Sequence, residues 1–135
     1  SSVTTIEDNA FDGCTALDDV VIPQSVTKIG NAIFQNCKAL KKITLPSALE
    51  STGYNMFYGC IALQKVEIPS SLIEISVGFC RNCTSLTEVS LPPSMTSIKD
   101  YAFAGCTSLK NISVPSSLTD ISKSAFPQET QIDKV

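Results

Sequence analysis

The chain has 135 residues, 43% of them apolar and 17% charged, which is enough for one domain with a sizeable buried core. It contains no histidine, which excludes histidine-based catalysis and zinc sites with histidine ligands, and its net charge of −3 argues against nucleic-acid binding. No apolar run reaches the roughly 18 residues that a membrane span needs, so no membrane span is predicted. Taken together, the composition predicts a protein without catalytic residues, cofactor or metal.

The sequence repeats itself every 23 residues. A unit of this length cannot bury its own apolar face, so successive units must stack and share a core. One column of the repeat is cysteine: Cys14, Cys37, Cys60, Cys83 and Cys106. Another is aromatic, with Cys80 as its exception: Phe11, Phe34, Phe57, Phe103 and Phe126. The two columns are predicted to form ladders along the core.

Within each repeat, the segment after the cysteine predicts a short strand. In the first copy Val20 and Ile22 alternate inward, and Pro23 ends the strand because proline has no N–H to donate. Strands one coil apart are expected to pair in parallel. The next apolar pair, Val26 and Ile29, predicts a return across the opposite face, as a second short strand.

The segment before each cysteine predicts a corner made of one helical turn, such as residues 9–12. The residue that ends the turn is always glycine or asparagine, the types that tolerate a left-handed backbone at low cost. A positive φ is therefore predicted at five positions: Gly13, Asn36, Gly59, Asn82 and Gly105.

The cysteines are predicted to stay reduced and buried. Neighbouring thiols in the column lie on parallel Cβ vectors, which do not face each other as a disulfide requires. Cys80 and Cys83 also form a C-x-x-C motif beside Arg81, a pattern that redox thiols share. The alternative is an exchange that conserves core volume, since Cys80 occupies a phenylalanine position and Phe79 a small-residue position.

The segment from Ile6 to Val26, I-x-x-x-A-F-x-G-C-x-x-L-x-x-V-x-I-P-x-S-V, resembles the BspA-like (Treponema-type) leucine-rich repeat. The resemblance covers nearly the whole chain. It implies a leucine-rich-repeat solenoid, a right-handed coil with a parallel β-sheet of short strands on its concave side and short helical turns. It also implies a cell-surface or secreted protein that adheres to host matrix or to other cells.

The repeats predict a single domain, residues 1–135, of five full repeats with partial ends. Residues 2–6 match residues 25–29, so the chain opens within a repeat. Ile132 and Val135 match Leu109 and Ile112, so it closes within a sixth strand. Neither end has the polar capping repeat that seals a solenoid. A fragment of a longer array is therefore expected, with exposed strand edges that allow end-to-end self-association.

The first candidate binding surface is the outward face of the predicted sheet. Its candidate binding residues are Lys41, Lys42, Lys65, Glu67, Glu88 and Asn111. The pairs Asp18–Lys41, Asp19–Lys42 and Lys65–Glu88 are neighbours along a column and are expected to form ion pairs. The face is then either a self-complementary solvated surface or a polar platform for a protein ligand.

The second candidate surface lies on the turns. It combines the three tyrosines with the single arginine: Tyr54, Tyr58, Arg81 and Tyr101. Tyr58 and Arg81 share a column and are expected to stack. Tyrosine and arginine are enriched in binding hot spots, although such a stack can also serve only to support the solenoid surface.

The sequence therefore predicts a non-catalytic protein-interaction or adhesion module. Its ligand would be a protein, with host matrix or another cell-surface protein as the candidates that the resemblance implies. The alternative is a structural spacer or an intracellular scaffold repeat with no ligand of its own. An enzyme would need carboxylates or lysines that converge in a pocket, whereas the acidic residues here are spread over exposed columns.

Overall fold

The computed structural model describes residues 3–135, which coil into a parallel-strand β-solenoid. Ser2, part of the predicted opening match, lies outside the described residues. A first row holds the longer strands: β2 (Asp19–Val21), β4 (Lys42–Thr44), β5 (Lys65–Glu67), β7 (Glu88–Ser90), β9 (Asn111–Val114) and β11 (Gln131–Lys134). A second row holds two-residue strands: β1 (Thr5–Ile6), β3 (Lys28–Ile29), β6 (Glu74–Ile75), β8 (Ser97–Ile98) and β10 (Asp120–Ile121).

The strand register confirms the 23-residue repeat. Val66 pairs with Val89 in the first row and Ile75 pairs with Ile98 in the second, and both pairings are parallel. In β5 the central Val66 is fully buried while its two neighbours are exposed, the alternation predicted for strands that cover a shared core. The predicted second strand is therefore present in every described coil but one, where the second row has only an isolated bridge between Lys28 and Ser51.

The turns differ from the prediction because residues 3–135 contain no regular helix. The turns are closed instead by hydrogen bonds between residues three positions apart, such as the Cys60 N–H donating to the Phe57 carbonyl at 3.0 Å. All five predicted positive-φ positions are confirmed, with φ of 76° at Gly59 and 59° at Asn36. A second positive-φ column, however, opens each turn: Asn9, Ala32, Asn55, Gly78 and Tyr101. A left-handed residue at its start keeps the segment from forming a right-handed helical turn.

The aromatic ladder runs along the whole core. The Phe34 and Phe57 rings stack with centroids 5.8 Å apart, and the Phe103 and Phe126 rings stack at 5.2 Å. In the copy that lacks the column phenylalanine, the Phe79 ring meets Phe57 edge-on at 5.3 Å. Phe79 thus fills the place that Cys80 leaves, which confirms the predicted exchange.

The final coil corrects the predicted end of the repeat. Ile132 pairs with Ile112 and not with Leu109, so the chain returns to the first row after 20 residues instead of 23. The last copy has no Gly-Cys pair, and its turn is closed by the Thr130 N–H donating to the Pro127 carbonyl at 3.1 Å. The sixth strand, β11, is present but reached by a shorter turn.

The first row is interrupted rather than continuous. It consists of three hydrogen-bonded pairs, β2 with β4, β5 with β7, and β9 with β11. Within the first pair, the Ile22 N–H donates to the Thr44 carbonyl at 3.1 Å. Among residues 3–135 no equivalent bond joins Leu45 to Glu67 across the boundary between β4 and β5. The first row therefore has two openings, one on each side of the central pair.

Candidate functional site

The thiols of the cysteine column do more than fill space. The Cys60 thiol donates to the Phe34 carbonyl and the Cys83 thiol to the Phe57 carbonyl, with Sγ–O distances of 3.1 Å in both cases. The Cys106 thiol donates to the Cys80 carbonyl at 2.9 Å in the same way. Cysteine therefore suits this column because it is small and apolar and also supplies a weak donor to a buried carbonyl.

All six cysteines are free, and the C-x-x-C pair lacks the character of a redox site. Cys80 and Cys83 are both fully buried. Burial raises the pKa of the Cys80 thiol. Hydrogen bonding to Cys106 lowers the pKa of Cys83, but the bond to Cys80 and burial outweigh it and leave that pKa well above its ordinary value. A reactive thiol needs a lowered pKa and access to solvent, so this pair belongs to the core.

Burial should make the stability of the chain depend on pH in the alkaline range. Burial raises the pKa of the Cys60 thiol from 9.0 to about 12. The folded state holds this proton more tightly than the unfolded state, so the stabilisation is complete below pH 9.0 and is lost as the pH rises towards 12. Denaturant unfolding across this range should show a larger fall in unfolding free energy for the wild type than for Cys60→Ala. Equal falls in both proteins would contradict the assignment of the buried donor.

The sheet-face residues are exposed as predicted, but only one of the three expected ion pairs is present. Lys65 lies 3.3 Å from both Glu88 and Glu67. Within residues 3–135 no ion pair joins Asp18 to Lys41 or Asp19 to Lys42, so two of the predicted pairs are wrong. Each of these pairs lies in one column on neighbouring coils, but exposed charges gain little from fixing their long side chains in one geometry. Asn111 lies at the start of β9, exposed at the second opening.

A cleft of about 700 Å³ opens between β4 and β5. Its charged lining comes from Lys41, Lys42, Lys65 and Glu67. Three core residues that are each less than a tenth exposed also border it: Ile43, Leu45 and Ile68. A smaller opening of about 270 Å³ lies between β7 and β9 and includes Glu88 and Asn111. The cleft between β4 and β5 is therefore a depression on the charged face, with the core beneath it still buried.

The structure brings three of the four turn residues together. The Arg81 guanidinium lies 4.5 Å from the centre of the Tyr101 ring and 5.7 Å from that of the Tyr58 ring. This confirms the predicted stacking of Tyr58 with Arg81 and adds Tyr101 to it. Tyr54 belongs to the same turns and is 58% exposed, but within the described residues its ring stacks on no other. We call Tyr58, Arg81 and Tyr101 the tyrosine–arginine cluster.

Sequence reasoning missed two features of these surfaces. The position of Tyr101 against Arg81 depends on its φ of 60°, and tyrosine carries no signal for a left-handed backbone. The cleft depends on hydrogen bonds that two strands fail to make, although both follow the same repeat pattern as the strands that do pair. One residue in the sequence could have indicated the interruption: Thr52 stands in the second row where other copies have isoleucine.

The coil, its parallel rows and its aromatic and thiol ladders define a leucine-rich-repeat solenoid. Residues 4–133 match six copies of the BspA type leucine rich repeat region, and the chain belongs to this family. Repeats of this family act as protein-interaction modules and are generally non-catalytic. No curated protein matches the chain in a sequence search.

Solved structures show the same fold over almost the whole chain. A leucine-rich repeat protein from Treponema pallidum is 28% identical, with a TM-score of 0.80 over 97% of this chain and 67% of that one. A leucine-rich repeat protein from Bacteroides ovatus is 29% identical, with a TM-score of 0.76 over 99% of this chain. A leucine-rich cell surface protein from Faecalibacterium prausnitzii is 30% identical, with a TM-score of 0.70 over 98% of this chain.

The chain is much shorter than two of these structures. It spans 37% of the Bacteroides ovatus protein and 43% of the Faecalibacterium prausnitzii protein. The part of the chain that the structure describes contains no helix long and apolar enough to cross a membrane.

Proposed function

We propose that this chain is a non-catalytic adhesion module of a cell-surface or secreted protein. On this proposal its ligand is a protein of the host matrix or of another cell surface. The family supports a protein-interaction role, and one similar structure is that of a cell surface protein. The absence of histidine and the buried, protonated thiols support a role without catalysis.

The observation that carries the proposal is the tyrosine–arginine cluster. Tyr101 is 43% exposed although it stacks against Arg81, so the pair presents a large amphipathic surface to solvent. Tyr54 and Val77, one coil apart in a single column, add two further exposed apolar side chains to the same turns. Tyrosine rings lose little conformational freedom on binding, and both tyrosine and arginine are enriched in the hot spots of protein interfaces.

The sheet face is the competing surface, and the two differ in what they should contribute. Its charged residues are well solvated, with 51% of the Lys65 side chain and 60% of the Glu88 side chain exposed. Exposed charges of this kind each contribute at most about 1 kcal/mol and lose strength in salt. Truncating a hot-spot tyrosine or arginine to alanine weakens the binding free energy by about 2 kcal/mol or more.

A comparison of two double variants tests this assignment. For a protein partner recovered by affinity capture with this chain, Tyr58→Ala with Arg81→Ala should weaken binding more than Lys42→Ala with Lys65→Ala. Circular dichroism should first show that both double variants fold. The reverse order would place the binding surface on the sheet face. If neither pair changes the affinity and no partner survives competition, the chain is a spacer.

A further inference from the structure

We propose that the tyrosine–arginine cluster recognises an acidic side chain, aspartate or glutamate, of its protein partner, and that the Arg81 guanidinium binds the carboxylate. The assignment rests on the function proposed above, because it names the chemical group that the same cluster binds. Three features of the cluster support it: the free donors of Arg81, the two rings that hold the guanidinium, and the charge of the surrounding turns.

Among residues 3–135 the Arg81 guanidinium has aromatic neighbours but no polar partner. Its central carbon lies 4.5 Å from the centre of the Tyr101 ring and 5.7 Å from that of the Tyr58 ring. Within the same residues no carboxylate forms an ion pair with it, and none of its N–H groups donates a hydrogen bond. The five N–H donors of the guanidinium, arranged as a rigid planar fork, are therefore available to a ligand.

The coils on either side of Arg81 hold its side chain in place before a ligand binds. Tyr58 comes from the preceding coil and Tyr101 from the following one. The backbone beneath them is also fixed, since the Gly59 N–H donates to the Arg81 carbonyl at 2.9 Å and the Asn36 N–H donates to the Tyr58 carbonyl at 2.6 Å. A group that is ordered before binding loses less conformational freedom when a ligand arrives. Arg81 is therefore a preorganised binding group.

The charge of the surrounding turns favours an anionic ligand. The cluster is built from three turn segments: residues 54–60, 77–83 and 100–106. Arg81 is their one basic residue and Asp100 their one acidic residue. The Asp100 carboxylate accepts a hydrogen bond from the Ser122 hydroxyl of the next coil and, in the described part of the chain, forms no ion pair with Arg81. The positive charge of Arg81 is thus left to pair with a ligand.

A single guanidinium matches a carboxylate better than a phosphate group. The two N–H groups on one edge of the fork can donate to the two carboxylate oxygens in parallel. Phosphorylated ligands are instead recognised by clusters of arginines, and Arg81 is the only arginine of the chain. The ligand with the fitting charge is therefore a side-chain carboxylate.

The exposed apolar side chains of these turns favour a carboxylate that belongs to a protein. Tyr54 is 58% exposed, and Val77 follows it one coil later in the same column. A partner segment can place an apolar side chain against them while its neighbouring acidic side chain reaches Arg81. A small free anion would leave this apolar surface uncovered. We therefore expect the recognised segment to carry an acidic residue beside an apolar one.

The test is an NMR titration of the full nitrogen-labelled chain with two peptides that are blocked at both ends. In the first peptide a glutamate stands between two leucines, and in the second a glutamine replaces the glutamate. Because the chain has one arginine, its arginine Nε–H signal reports on Arg81 alone. The glutamate peptide should shift this signal saturably and bind about threefold more tightly than the glutamine peptide, the effect expected for one exposed charge contact.

Two variants show whether the fork of Arg81 causes this preference. Arg81→Lys keeps the charge but loses the fork, so it should bind the two peptides with nearly equal affinity, measured on the Tyr58 and Tyr101 amide signals. The matched control Lys28→Ala removes an exposed positive charge from β3, in the second row, and should keep the wild-type preference. Circular dichroism should show that both variants fold.

Three results would overturn the carboxylate assignment: no saturable shift with either peptide, equal binding of both by the wild type, or an unchanged preference in Arg81→Lys. Any of these results together with weaker partner binding by Tyr58→Ala with Arg81→Ala would leave the cluster as the partner site and remove only its carboxylate ligand. If that double variant binds the partner normally while the wild type prefers the glutamate peptide, the carboxylate site stands and the adhesion assignment falls.

Discussion

Replacing Phe57 with alanine should lower the free energy of unfolding by about 3–5 kcal/mol, the usual cost of removing a buried aromatic ring. Phe57 is fully buried, and its ring centroid lies 5.8 Å from that of Phe34 and 5.3 Å from that of Phe79. Its loss would therefore remove two ring contacts and leave a cavity in the middle of the ladder. Urea unfolding of the two proteins provides the measurement.

Phe11→Ala is the matched control for this prediction. Among the residues that the structure describes, Phe11 stacks on one ring, that of Phe34, with centroids 5.5 Å apart, and it is 39% exposed. Because the removed ring is already partly hydrated, its replacement should cost clearly less than that of Phe57. A shift below about 1 kcal/mol for Phe57→Ala would show that the ladder does not carry the core, on the same scale.

Gly59→Val should be far more destabilising than Gly59→Asn. Gly59 has a φ of 76°, a conformation that costs a β-branched residue about 1–3 kcal/mol. Any Cβ at this position would also clash with the Asn36 Oδ1 atom of the preceding coil. Asparagine tolerates the φ but still meets that oxygen, so Gly59→Asn should be destabilising by a smaller amount. Denaturant unfolding of both variants measures the difference.

The neighbouring asparagine gives this prediction two controls. Gly13 has nearly the same φ, 75°, but its Cβ would meet nothing within 4 Å, so Gly13→Asn should cost less than Gly59→Asn. Asn36→Gly should also recover part of the stability that Gly59→Asn loses, because it removes the clashing side chain. Equal stabilities of Gly59→Val and Gly59→Asn would refute the left-handed assignment. Additive effects of Asn36→Gly and Gly59→Asn would refute the contact between coils.

The alternation of glycine and asparagine follows from this contact. Asn82 Oδ1 would clash with a Cβ at Gly105, the same arrangement as between Asn36 and Gly59. Each asparagine side chain thus occupies the space over the glycine of the next coil. The sequence shows that both residue types suit a positive φ, but only the stacked structure shows why they alternate.

Much of the fold could be predicted because one pattern is repeated with few changes. The exchange of Phe79 and Cys80 could be predicted because the other copies show which position carries the aromatic ring. The second positive-φ column could not be predicted from its residue types, since Ala32 and Tyr101 disfavour a left-handed backbone. Ala32 is held in this conformation by a hydrogen bond between coils. The Ala32 N–H donates to the Tyr54 carbonyl at 2.7 Å.

The candidate surfaces were only partly predictable for a different reason. The columns fix which side chains are neighbours, and this was enough to place Tyr58 beside Arg81. The columns do not determine whether exposed side chains form ion pairs, and Lys41 and Lys42 form none with their predicted acidic partners. Strand pairing across one boundary depends on small shifts between coils, which a residue pattern does not encode.

The most direct test of the proposed binding surface is a hydrogen-exchange footprint of the chain in complex with a captured and purified protein partner. The proposal predicts protection of the turn segments that carry the tyrosine–arginine cluster and Tyr54, residues 54–58, 77–81 and 100–104. Exchange in the first-row strands should be unchanged by the partner. Protection confined to β2, β4, β5 and β7, with unchanged exchange in those turns, would contradict the assignment and place the ligand on the sheet face.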